Sequence, residues 1–154
     1  SFYHVYLAHS EYLMKNALKP SSDPSNLANQ LKAIDWVYAN AADKAFNVYN
    51  YLPSVYDYPY QYLFWWYGTK IYGYQPSDIA YLPNQPEYIK DVEVFWTKKK
   101  TTDNDSPTFL IIEKDSENMN RMIAWKGNFA KLCEVKEIQI VDNLSVVELS
   151  SCSK

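Results

Sequence analysis

Glycine is scarce in this sequence: three residues in 154, at Gly68, Gly73 and Gly127. That scarcity rules out a glycine-rich loop wrapped round a phosphate, and with it a dinucleotide fingerprint or P-loop. Histidine is rarer still. His4 and His9 stand five apart rather than four, so they do not stack on one helix face as a zinc pair, and no metal site is expected there. Any Ser-His-Asp or Cys-His site would have to recruit one of these two. Two cysteines, Cys133 and Cys152, exclude a disulfide framework and a four-cysteine zinc site. A net charge of −3 supplies no basic excess for a phosphate backbone, so no nucleic-acid partner is expected. The run Lys98-Lys99-Lys100 reads as a solvated loop. No apolar run approaches the roughly 20 residues that span a bilayer, and the longest covers residues 62–67. The piece therefore reads as soluble. It begins at Ser1 without an initiator Met or a signal-peptide pattern, so it is expected to be a processed or engineered fragment.

Aromatic side chains are what the sequence has in excess. Fifteen Tyr, five Trp and six Phe make up 17% of the chain. Tyr and Trp join a large apolar face to a polar tip, which suits cores, half-wet interfaces and sugar stacking alike. The 47% hydrophobic and 21% charged content is that of one packed domain of ordinary size.

Along the chain, residues 1–20 carry a loosely helical pattern ending at Pro20, a leading helix ahead of a domain at 25–150. Asp23-Pro24 reads as an N-cap and first-turn pair for a helix over 25–42, whose stripe is Leu27, Leu31, Ile34, Tyr38 and Ala41. Residues 46–52 alternate as a first strand ended by Pro53. Asp57-Tyr58-Pro59 opens a helix that closes at Gly68 or Gly73, and the proline-punctuated stretch after it reads as an irregular loop. Residues 92–97 alternate as a strand. Residues 108–112 form a continuous apolar run, the mark of a central strand covered on both faces. Asp115 or Ser116 then caps a helix ending at Gly127, and a hairpin turning at Asp142-Asn143 closes the chain. These elements predict a single α/β (α+β) domain with a mixed sheet of about five strands.

Counting outward from the hairpin turn sets Cys133 opposite Cys152. The apolar alternation slips between Val135 and Ile138, however, and a bulge there would shift the register, so bridged and free thiols both stay open.

No catalytic constellation stands out, and no cofactor is expected. Asp103-Asn104-Asp105 spells the cation-binding triplet of nucleotide-sugar transferases, but it lies in a polar stretch with no preceding apolar strand and reads as a solvated turn. Asp57, Glu87, Glu93 and Glu113 could pair only if the fold brought them together. The densest candidate is the stretch 56–68, whose aromatics would run all the way round a helix. Tyr56, Tyr58, Tyr60, Trp65, Trp66 and Tyr67 are its candidate contacts. Packing against the core, docking to a partner or membrane interface, and stacking of a saccharide are the competing uses.

The blocks Leu31-Lys32-Ala33-Ile34-Asp35-Trp36-Val37-Tyr38, Phe46-Asn47-Val48-Tyr49, Leu52-Pro53 and Tyr60-Gln61-Tyr62-Leu63-Phe64-Trp65-Trp66-Tyr67-Gly68 are where the chain resembles a known group. They resemble the C-terminal region of bacterial membrane glycosyltransferases related to protein-O-mannosyltransferases and aminoarabinose transferases, over roughly residues 27–149. The resemblance implies a parent that moves a sugar from a polyprenyl-phosphate donor, with its catalytic acid elsewhere, so no catalytic residue is carried over. It implies that residues 1–19 are a juxtamembrane stalk and that the domain lies outside the cytoplasm. The implied role is accessory: docking a saccharide or polypeptide acceptor, or covering the active site of the parent's transmembrane part. Such a compartment would tolerate a Cys133–Cys152 bridge. A structural or interaction domain, and a small carbohydrate-active hydrolase, are the alternatives.

Overall fold

The computed structural model describes residues 15–55, 58–84 and 95–152. Of the leading helix, only residues 15–17 fall among these and are helical; residues 1–14, with both histidines, lie outside them. Helix α1 (Leu27–Ala41) begins later than the sequence suggested. Its N-cap is Asn26, whose side chain accepts the Ala28 amide, whereas Asp23 accepts from Ser25 in a turn of its own. The cap moves because Asn26 sits immediately before the stripe that must be buried. Ala42, left-handed at φ 49°, ends the helix.

Strand β1 (Asn47–Tyr51) is followed by a helical rod made of α2 (Tyr58–Leu63), a π-helical turn (Phe64–Gly68) and α3 (Thr69–Tyr72). Gly73, at φ 82°, ends the rod, so Gly68 is interior to it. Strand β2 (Asp78–Ala80) lies inside the stretch expected to be an irregular loop. The strand expected at 92–97 is not found over its described part, since Phe95, Trp96 and Thr97 belong to no strand; residues 92–94 lie outside the described residues. Backbone pairing with the open edge of β1 is what makes residues 78–80 a strand, and their own pattern did not announce it. Strand β3 (Thr108–Glu113), helix α4 (Met119–Gly127), and the hairpin β4 (Leu132–Val141) and β5 (Leu144–Ser151) complete the chain.

The order β2-β1-β3-β5-β4 gives one mixed five-stranded sheet. Both β1 pairings are parallel and both β5 pairings antiparallel. Side chains alternate across it. Phe46, Val48, Phe109, Ile111, Leu144 and Val146 face α1 and the rod. Tyr49, Tyr51, Leu110, Ile112, Val147 and Leu149 face Trp125 and Phe129. The central strands are therefore covered on both sides, as the run 108–112 predicted.

The hairpin turns at Asp142-Asn143 with Val141 opposite Leu144. Two register shifts, at Glu134/Lys136 and Gln139/Val141, then carry the ladder two residues out of the simple count, so Cys133 lies opposite Ser150. Cys152 stands one residue past β5 and bridges back to Cys133, with Cα atoms 5.0 Å apart. Edge strand β4 exposes Glu134, Lys136 and Glu137. Charges and bulges of this kind discourage edge-to-edge pairing.

Candidate docking site on the helical rod

The rod sorts its aromatics by a spacing of four. Tyr60, Phe64 and Gly68 are buried, while Tyr62, Trp66 and Lys70 are exposed. In a regular α-helix a spacing of four drifts by about 40° per step, which would carry both rows off their faces within two turns. The wider π turn offsets part of that drift and holds the rows in line. On the flank towards α1, the Tyr67 and Tyr72 hydroxyls both donate to Asp35 Oδ1, at 2.8 and 2.6 Å. Burial, and then Asp35, pushes both phenols up, Tyr67 to about 12.

The exposed side carries a linked set of aromatic rings, Tyr62, Trp65, Trp66 and Phe95. Tyr62 is 55% exposed, Trp66 39%, Ile71 55% and Phe95 47%. The Tyr62 and Trp66 rings are parallel within 12° at 6.3 Å, and Lys70 Nζ lies 5.6 Å from the Trp66 centroid. Trp65, half-buried, meets Phe95 edge-on at 5.0 Å. Buried Gln75 fixes the second segment to the first. Its Nε2 donates to Thr69 Oγ1 and to the Phe95 carbonyl, both at 2.9 Å, and its Oε1 accepts the Lys98 amide.

Of the residues singled out from the sequence, Trp66 and Tyr58 are exposed on the rod and Trp65 is half-buried. Tyr67 is spent on Asp35, and Tyr56 lies outside the described residues. Tyr60 is a correction: it is fully buried, so it belongs to the core and contacts no partner. The row spacing of four that buries Phe64 buries Tyr60 as well. Tyr62, Lys70, Ile71 and Phe95 were missed. The spacing from Trp66 could have found Tyr62 and Lys70; only the Gln75 clamp brings in Phe95.

A second polar cluster lies where the parallel strands β1 and β3 end. The chain leaves β1 towards β2 and leaves β3 towards β4 on the opposite edge, so the two form a topological switch point, where open α/β sheets tend to bind ligands. Here the side chains engage one another. The Tyr51 hydroxyl donates to Asp115 Oδ2 at 2.7 Å, and Arg121 donates to Asp115 Oδ2 at 2.6 Å, to Tyr51 at 2.9 Å and to the Pro53 carbonyl at 2.7 Å. Asp115 Oδ1 accepts the Asn118 amide at the start of α4. Tyr51 and Arg121 hold the Asp115 carboxyl below its usual range. This network fastens the loop after β1 to α4.

Among Asp57, Glu87, Glu93 and Glu113, only Glu113 is among the described residues. Burial, with a smaller push from Asp23, raises it to about 7. Asp103 lies in an exposed turn, accepting from the Asp105 amide and the Ser106 hydroxyl. Among the described residues no three His, Cys, Asp or Glu side chains gather as a metal site, and no helix is long and apolar enough to cross a membrane.

No known protein family, curated protein or solved structure matches the chain.

Proposed function

We propose that this chain is an extracytoplasmic accessory domain of a membrane glycosyltransferase using a lipid-linked sugar donor, helping to dock the acceptor or cover the membrane active site. The observation that carries the reading is the exposed row Tyr62, Trp66 and Lys70 on a rod whose other row is locked into the core. The rival reading, a structural or interaction domain, predicts Trp65 and Trp66 buried with no open aromatic cleft; Trp66 is exposed and Trp65 half-buried. The resemblance of blocks 31–38, 46–49 and 60–68 supports the parent's identity, and these same blocks meet in one core around Tyr38, Phe46 and Phe64. The Cys133–Cys152 bridge suits an oxidising compartment.

Reading the gene upstream of Ser1 tests the parent. Several apolar segments of membrane-spanning length are expected there; a start codon or a cleavable signal peptide directly before Ser1 would sink the proposal. In the parent enzyme, Trp66→Ser should reduce sugar transfer while leaving the protein's abundance unchanged.

A further inference from the structure

Among the described residues, the two aromatic segments carry a charge bias up to Asp103. These segments, residues 58–75 and 95–102, contain Lys70, Lys98, Lys99 and Lys100 and not one Asp or Glu, in a chain of net charge −3. Lys100 is used internally, its ammonium 3.7 Å from the Tyr74 ring centroid. Lys70, Lys98 and Lys99 are exposed. Lys70 lies over Trp66, and Lys99 over Trp96 at 5.5 Å. Each segment thus sets a lysine over an indole, and Gln75 and the Trp65–Phe95 contact hold the two segments side by side.

We infer that their exposed face lies against an anionic lipid surface, with Tyr62, Trp66 and Phe95 at headgroup depth and Lys70, Lys98 and Lys99 on the lipid phosphates. Tyr and Trp favour the membrane-water interface because the ring is apolar and its tip is wet, and Lys reaches past them to the phosphates. Saccharide stacking fits this geometry less well, since it needs an open ring face. Trp66 has Tyr62 parallel to it from one turn before and Lys70 over it from one turn after. The inference deepens the docking role proposed for this face and rests on that role, not on the identity of the parent enzyme.

Flotation of the 154-residue chain with vesicles tests it. The chain should float with phosphatidylglycerol/phosphatidylcholine vesicles and far less with phosphatidylcholine alone, and raising the salt should release it. Tyr62→Ser with Trp66→Ser should cut the bound fraction at least about ten-fold, since both rings leave the interface. Lys70→Gln, Lys98→Gln and Lys99→Gln should weaken binding to the anionic vesicles about five-fold for each charge removed. Thermal melts of these surface variants should match the parent chain. Vesicle binding that is absent, or unchanged in both sets of variants, would overturn the inference. Binding to an immobilised glycan that Trp66→Ser abolishes, without flotation, would overturn it too and leave the docking role standing. The parent's identity fails separately, on the upstream sequence.

Discussion

A Cβ built on Gly68 would stand 2.3 Å from the Tyr38 hydroxyl oxygen and 3.0 Å from the ring carbon that bears it. The two positions are therefore fitted to each other. The missing side chain at the end of the π turn lets the Tyr38 ring pass beneath the rod, stack on Tyr72 at 4.1 Å and donate its hydroxyl to the Tyr74 carbonyl at 2.7 Å. That hydroxyl cannot swing away, because the ring is also flanked edge-on by Phe46 and Tyr74.

Gly68→Ala should destabilise the fold by about 1–3 kcal/mol through overpacking. Tyr38→Phe alone should cost about 1 kcal/mol for the lost buried hydrogen bond. The double variant should cost less than the sum of the two, since removing the oxygen removes the nearest clash. Denaturant midpoints of the three variants measure the coupling, and strict additivity would refute the steric account.

Glu113 couples stability to pH. Its carboxyl is raised to about 7 in the folded state, so the folded chain holds a proton that the unfolded chain has already released. The stabilisation is present below the ordinary glutamate range and is lost as pH rises through about 7. Glu113→Gln, neutral throughout, should match the native chain near pH 4. It should exceed it by about 1–2 kcal/mol at pH 8, a figure discounted for the part of the side chain that water reaches. Equal melting temperatures for the two proteins at pH 8 would show that the carboxyl ionises freely.

Asp115 has the opposite sign. Tyr51 and Arg121 hold its carboxyl low, so its contribution is present above the ordinary aspartate range and lost as pH falls through the depressed value. Asp115→Asn should lower the melting temperature at pH 7, and the gap should close towards pH 2. Increased proteolysis near Pro53 and Ser54 is expected as well, because Arg121 then loses the carboxylate that aims it at the Pro53 carbonyl.

Cys133 and Cys152 close a loop with a sequence separation of 19. Reduction, or Cys133→Ser with Cys152→Ser, should cost about 2–3 kcal/mol by freeing the unfolded chain. Denaturant titrations with and without reductant measure this. Two free thiols in the unreduced, denatured chain would show that no bridge forms.

Much of the architecture was legible in the residues. The 108–112 run gave a strand covered on both faces, the stripe from Leu27 to Ala41 gave α1, and Asp142-Asn143 gave the hairpin turn, because each is set by local pattern and backbone preference. Strand β2 was not legible. Three residues, Asp78, Ile79 and Ala80, carry too little pattern, and they are a strand because β1 offers them an unpaired edge. The cysteine pairing lay between these cases. The sequence hinted at one slip near Val135; a second, beside Ile140, sets Cys133 opposite Ser150, and the bridge reaches on to Cys152.

The candidate site divides in the same way. Composition and density marked residues 56–68 as the place to look, because an all-aromatic helix cannot bury every face. Which face remains outside was decided by the packed structure. The π turn and the Gly68–Tyr38 contact set the phase of the rod, sending Tyr60 inward and Tyr62 outward, and buried Gln75 brought Phe95 and the lysines alongside. By itself the sequence determined the elements and their aromatic wealth, since propensity and periodicity act over a few neighbouring residues. The exposed surface was decided only by tertiary structure, since it depends on helix phase and on contacts between segments some twenty residues or more apart, which no local pattern encodes.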